Sequence, residues 1–223
     1  MEICVQSLIH KKMKPYPVPA APVESQIVVV NSRFIASLAP AFSVEEARAF
    51  IDRVKARYPD ASHHVPVYLI GHGDSVIAHC SDAGEPSGTA GRPALAVLQD
   101  SGLGDVVVVI TRYFGGTKLG TGGLVHAYSD AMRAALAVTR RAERVATHTV
   151  MAEMPYPLLE RARRLVSACH GQILDEDFTS SVVITARFAV DALPAFQAEL
   201  SRLSSGSVQA EIIESGEVLL PLD

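Results

Sequence analysis

The sequence has 223 residues, 48% hydrophobic and 20% charged, with no tryptophan. That is enough for one large core or two small ones, and too apolar for a disordered chain. A formal net charge of -4 excludes nucleic-acid binding over the whole surface and leaves only local basic patches for it. The three cysteines, Cys4, Cys80 and Cys169, are scattered, against a disulfide framework or a structural zinc site. No apolar run reaches the roughly 18–20 residues that cross a bilayer. The start, Met1 to Lys14, lacks a signal-peptide pattern, so the expected location is the cytoplasm.

Residues 1–22 carry Pro15, Pro17, Pro19 and Pro22 and predict a flexible, extended N-terminal arm. Ile27–Val30 and the alternation of Phe34, Ala36 and Leu38 with Ile35 and Ser37 predict two strands joined near Asn31–Ser32. Ser43 and Glu46 form an S-x-x-E capping box ahead of Val44, Ala47, Ile51, Val54 and Tyr58 at helical spacing, a helix that ends before Pro59. Val65–Ile70 and Ser75–Cys80 read as strands around the turn Gly71-His72-Gly73-Asp74. A polar, glycine-rich loop, Ser81–Gly91, leads into a short helix from Pro93 to Gln99. Val106–Ile110 is an uninterrupted apolar run that fits a strand covered on both faces. A second glycine-rich loop, Arg112–Gly123, precedes a long helix carrying Leu124, Tyr128, Ala131, Ala135 and Val138 on one face.

The charged stretch Arg140–Arg144 marks a boundary. The pattern then restarts: a strand over Val145–Glu153, a helix over Pro155–His170 stopped by Gly171, strands over Gln172–Phe178 and Val182–Val190, a helix capped by Asp191 and running to Leu203, and a strand over Ser207–Ile213. The order βαββαβ is that of a ferredoxin-like domain. The expected organisation is an arm (1–22), a first domain (23–141) and a ferredoxin-like C-terminal domain (142–223), all of the α+β class.

Two loops carry the chemistry. Ser81-Asp82-Ala83-Gly84-Glu85-Pro86-Ser87-Gly88-Thr89-Ala90-Gly91-Arg92-Pro93 and Thr111-Arg112-Tyr113-Phe114-Gly115-Gly116-Thr117-Lys118-Leu119-Gly120-Thr121-Gly122-Gly123 both run into helices. Glycines let successive N–H groups converge on an anion, and a helix N-terminus adds partial positive charge there. The candidate binding residues are Asp82, Glu85, Ser87, Thr89 and Arg92 from the first loop. From the second they are Arg112, Tyr113, Gly115, Gly116, Lys118, Gly122 and Gly123. The plainer reading is architectural: the glycines shape turns, and Asp82 and Glu85 cap helix ends. Neither loop is a P-loop or a dinucleotide fingerprint.

Glu85 and Ser87 are the weak catalytic candidates. The segment around Ser87 is not a G-x-S-x-G elbow, and no base is placed beside it by the sequence. His63, His64, His72, Asp74 and His79 cluster in sequence without a ligand spacing, so no metal and no cofactor is expected. Arg161, Arg163 and Arg164 form a secondary basic patch on a helix; the alternative is a solvated face. Phe178 and Phe188 are the only aromatics available to stack RNA bases on the C-terminal sheet.

The two loop sequences, with Ser32-Arg33-Phe34-Ile35-Ala36 and Ser62-His63-His64-Val65, closely resemble the signature of the IMPACT/YigZ family. The resemblance covers about Ser25–Ala137, and the βαββαβ tail resembles the family's bacterial C-terminal domain. It implies that the first domain has the fold of the second domain of a small-subunit ribosomal protein, shared with a domain of elongation factor G, and that the tail is similar to that factor's last domain. Eukaryotic relatives restrain activation of a translation-initiation kinase by binding its activator. The resemblance therefore implies a non-enzymatic, translation-associated protein contacting RNA, the ribosome or a ribosome-bound partner. The alternatives are a hydrolase on a small or peptide substrate and an adaptor that binds protein without nucleic acid.

Overall fold

A computed structural model of the chain describes residues 16–73 and 76–222. They form two compact units: residues up to Glu143 with the C-terminal Pro221 and Leu222, and Arg144–Leu220.

In the first unit, β2 (Val23–Val29) and β3 (Ser32–Pro40) form a hairpin. Its two turn residues, Val30 and Asn31, have φ of 44° and 65°, the left-handed pair that matches strand twist in a tight hairpin. The sheet continues through β6 (Val106–Tyr113), β4 (His63–Ile70) and β5 (Ile77–Cys80) in the order β2-β3-β6-β4-β5, antiparallel throughout. Because β6 is central, its apolar run is buried on both faces. Val106, Val108 and Ile110 join Phe34, Leu38, α2 (Gly91–Asp100) and α3 (Gly120–Val138) in one core. Val107 and Val109 face α1 (Val44–Arg57) through Ala47, Ile51 and Val54. Each such buried valine contributes about 1.5–3 kcal/mol. The capping box forms as the sequence predicts: Glu46 N–H donates to Ser43 Oγ at 3.1 Å, and the Glu46 carboxylate accepts the Phe42 N–H at 2.8 Å.

The unit departs from the sequence pattern at three places. The segment expected as a flexible arm is, in its described part, held on this unit. Pro17–Pro19 forms β1, paired with Arg141–Glu143, with Val18 fully buried and the Tyr16 hydroxyl 2.6 Å from Asp105. Pro15 and the residues before it lie outside the described residues. Val138 is exposed rather than part of the α3 core, whose last buried residue is Ala135. Both glycine-rich loops are shorter than expected, because Gly91 and Arg92 already belong to α2 and Gly120–Gly123 to α3.

The second unit is built on β7 (Arg141–Met154), which begins in the first unit, with β8 (Gln172–Phe178), β9 (Val182–Ala189) and β10 (Glu211–Pro221) in the order β10-β7-β9-β8. The helices α4 (Leu159–Ala168) and α5 (Leu193–Leu203) bury Ala162, Val166, Phe196 and Leu200 against Val150, Ile184 and Phe188. This is the ferredoxin-like arrangement. Phe188 is not a stacking platform: it sits in the core with its ring centroid 4.3 Å from that of Phe196. Gly171 is needed for a different reason than a helix stop. His170 takes the left-handed conformation, φ 55°, while a Cβ on Gly171 would lie 2.3 Å from the Phe188 ring. The cap position of α5 is Ala192, one residue beyond the expected Asp191.

Candidate functional site

The two glycine-rich segments lie side by side because β6 and the loop before α2 flank the same core. Arg112 sits on β6 opposite Phe34 of β3, on the face covered by α2 and α3. Its side chain is 94% buried, with Nη1 2.6 Å from Glu85 Oε1. Glu85 is equally hidden and also accepts the Tyr128 hydroxyl of α3 at 2.8 Å. Burial and the Glu85 charge and hydrogen bond hold that phenol protonated, far above its ordinary pKa. Arg112 Nη2 donates to Ser32 Oγ at 3.3 Å, and its guanidinium carbon lies 5.4 Å from the Phe34 ring centre and 5.6 Å from that of Phe114. The Nε–H is also buried, without a hydrogen-bond partner among the described residues, an uncommon state for so strong a donor. His63 borders this network. Its Nδ1 donates to the Ala83 carbonyl at 2.9 Å, which leaves Nε2 facing Glu85 Oε1 at 3.9 Å.

The first loop is organised by Asp82. Its carboxylate accepts the N–H groups of Gly88 at 2.8 Å, Ala90 at 3.1 Å and Gly91 at 2.8 Å. The last two open α2, so Asp82 caps that helix from a distance, where Ala90 has no side chain to do so. Burial pushes the Asp82 carboxyl up, but the three N–H donors and the Arg92 charge overcome it and hold the group below the usual carboxylate range. The Thr89 hydroxyl and N–H both go to the Pro86 carbonyl, and Glu85 N–H goes to the Asp82 carbonyl. The amides of Glu85, Gly88, Thr89, Ala90 and Gly91, which the sequence offers to a ligand, are therefore taken by the protein's own acceptors. Arg92 is exposed beside Asp82.

The second loop differs. Phe114 and Gly115 donate their N–H groups to Ser62 Oγ at 3.1 Å and Ser32 Oγ at 3.2 Å. Gly115 passes so close to the β2–β3 turn that a Cβ there would lie 2.1 Å from the Asn31 carbonyl carbon. Beyond it, α3 starts at Gly120 with no side-chain cap, and Leu119 occupies the cap position. A cleft of about 340 Å³ opens at this point. Glu85 and Arg112 form its buried end, Pro86, Leu119 and Leu124 its apolar sides, and Phe114, Lys118, Gly120 and Thr121 its exposed rim. First-turn amides of a helix have no intrahelical partner, so this end of α3 is electropositive.

Tyr113 points to the opposite face of the sheet, where its hydroxyl bonds Asp60 at 2.9 Å and Arg33 stacks on its ring, so it is not a cleft residue. Gly116, φ 84°, lies on the exposed connection; Gly122 and Gly123 lie in the first turn of α3. Ser87 is exposed, with no hydrogen bond to a histidine among the described residues. Glu85 is already bound by Arg112 and Tyr128, a structural rather than a basic role. Arg163 is spent on a bidentate pair with Glu176 and a contact to Glu160, which removes it from the basic patch. Arg161 and Arg164 line a groove of about 410 Å³ beside Leu165 and Arg202. Among the described residues no group of three or more His, Cys, Asp or Glu is placed to hold a metal; Asp74 lies outside them. No described helix is long and apolar enough to cross a membrane. Sequence reasoning missed Ser32, His63 and Tyr128 as members of the site. Their only signal was their place in the motif-bearing segments.

Residues 30–136 match the Impact N-terminal domain, and residues 153–207 match a domain of unknown function, DUF1949. Over 205 residues the chain is 39% identical to the IMPACT family member YigZ of Escherichia coli (strain K12), covering 91% of this chain and 100% of that protein. An IMPACT family member of Haemophilus influenzae (strain ATCC 51907 / DSM 11121 / KW20 / Rd) is 35% identical over 206 residues, 92% of this chain and 100% of that protein. A crystal structure described as that of a hypothetical protein is 37% identical and superposes with a TM-score of 0.60, over 91% of this chain and 98% of the other. Similarity that spans both units and the whole length of these relatives allows one assignment: the chain belongs to the IMPACT family.

Proposed function

We propose that this protein is a cytoplasmic, non-enzymatic, translation-associated binding protein whose cleft at the start of α3 receives an anionic group of RNA or of a ribosome-bound partner. The observation that carries the reading is the uncapped N-terminus of the 19-residue α3, with Lys118 on the rim and the buried Arg112 behind it. Backbone N–H groups, helix dipole and a lysine lie together there, and among the described residues that line the cleft the one acid is the already paired Glu85. Membership in the IMPACT family, whose eukaryotic members act on the control of translation initiation, supports the translational setting. Arg161 and Arg164 are proposed as secondary contacts; Arg163 is excluded by its pairing.

Co-sedimentation with ribosomes at about 50 and about 200 mM salt tests this. With about three phosphates neutralised, the log–log slope of affinity against salt is about -2 to -3, and Lys118→Ala lowers it by about one. Absence of co-sedimentation at the lower salt refutes the proposal.

A further inference from the structure

We infer that the occupant of the α3 cleft is an unpaired nucleotide of an RNA strand, its base stacked on Phe114 and its phosphate held at the first turn of α3. This rests on the anion reading above and specifies the chemistry of its ligand. Phe114 is 49% exposed, yet it is not a loose loop residue. Its own N–H is anchored to Ser62 and that of the next residue to Ser32. The Arg112 guanidinium carbon lies 5.6 Å from the ring centre, and the exposed part of the ring is left as a fixed, flat apolar platform at the rim. Every nucleobase has a π-face that such a platform accepts.

A bare phosphate would leave the rest of the cleft unused. Pro86, Leu119 and Leu124 make its sides apolar, which suits a ligand with a planar hydrophobic part joined to an anion. Arg112 also lines the buried end of the cleft, and its Nε–H is a donor that no described residue satisfies. Gly122 adds an independent sign. It lies in the first turn of α3 with no positive φ, and a Cβ there would meet nothing within 4 Å. Neither conformation nor packing among the described residues asks for glycine, which weakens a helix. Close passage of a ligand backbone over the helix start explains it.

Glu85 is engaged by Arg112 and Tyr128, so the cleft is poor in groups free to read base edges. Recognition then proceeds through stacking and phosphate contact and tolerates any base. Bases paired in an A-form helix are stacked on each other and cannot reach the platform, so the strand must be single.

The test uses the full chain and a 3′-labelled oligouridylate of about eight nucleotides, followed by fluorescence anisotropy at low salt. The expected result is binding that Phe114→Ala weakens about tenfold, with the salt dependence unchanged. Lys118→Ala weakens it and reduces the salt slope by about one. Phe114→Trp retains binding and, in a chain with no other tryptophan, gives a single indole emission that the stacked base quenches. If Lys118→Ala weakens binding while Phe114→Ala does not and the indole is not quenched, the stacking assignment is overturned and the anion site survives. If a short acidic peptide binds in a Phe114-dependent way and the oligouridylate does not, the ligand is a protein segment and the nucleotide assignment is overturned. If neither probe binds while the protein still co-sediments with ribosomes in a Lys118-dependent way, the nucleotide assignment is overturned and the anion site survives; if co-sedimentation is also absent, both fall.

Discussion

Glu85 is the residue whose removal should do most damage to the first unit. Its side chain is 3% exposed and that of Arg112 6%, so substitution to alanine strands a guanidinium inside the protein. Arg112 would keep only Ser32 Oγ at 3.3 Å, and the Tyr128 hydroxyl would lose its acceptor. Removing one partner of a buried pair costs about 3–5 kcal/mol, because the desolvation of the other is no longer offset. Glu85→Gln keeps an acceptor for both donors and loses only charge, so a smaller loss, about 1.5–3 kcal/mol, is expected. The double substitution Glu85→Met with Arg112→Met removes both charges and recovers most of the loss. Against a total of about 5–15 kcal/mol these differences are large. Urea unfolding followed by tyrosine emission is a suitable assay. Tyr16, Tyr58, Tyr68, Tyr113 and Tyr128 belong to the first unit and only Tyr156 to the second, so the signal separates one unit from the other. A loss below about 1 kcal/mol for Glu85→Ala, or a double variant no better than the worse single one, would refute the buried ion pair as the keystone of the site.

Asp82→Ala should destabilise by about 1.5–3 kcal/mol at pH 7, since three N–H groups lose a charged acceptor. The Asp82 carboxyl is held below its ordinary range in the folded state. Its contribution is therefore present above the unfolded value of about 3.9 and is lost as pH falls through the lower folded one. Urea midpoints of the two proteins should converge from about pH 4 downward, and a gap that stays constant would contradict the assignment. Two glycine substitutions should act in opposite directions. Gly115→Ala forces a Cβ into the backbone of Asn31 and Ser32 and should cost about 1–3 kcal/mol. Gly122→Ala meets open space and should stabilise α3 by up to about 1 kcal/mol while weakening oligouridylate binding. Thermal melts with the anisotropy assay measure both effects.

Elements with a local cause can be read along the chain. The Ser43–Glu46 capping box, the five-residue apolar run of β6 and the βαββαβ order of the second unit all follow from spacing along the chain, and the structure contains each of them. The motif-bearing loops were legible for the same reason, because glycines and charges stand out without any fold. What those loops do with their donors was decided only in three dimensions. Asp82 reaches amides six to nine residues away, and Glu85 meets Arg112 and Tyr128 across 27 and 43 residues. Sheet register turned Tyr113 away from Arg112, and helix packing left Val138 in solvent while hiding Phe188. Arg163 was taken out of the basic patch by a carboxylate on a neighbouring strand. Periodicity and capping act within one or two turns of chain and are written in the sequence. Pairing of buried charges is settled by which distant segments the core brings together.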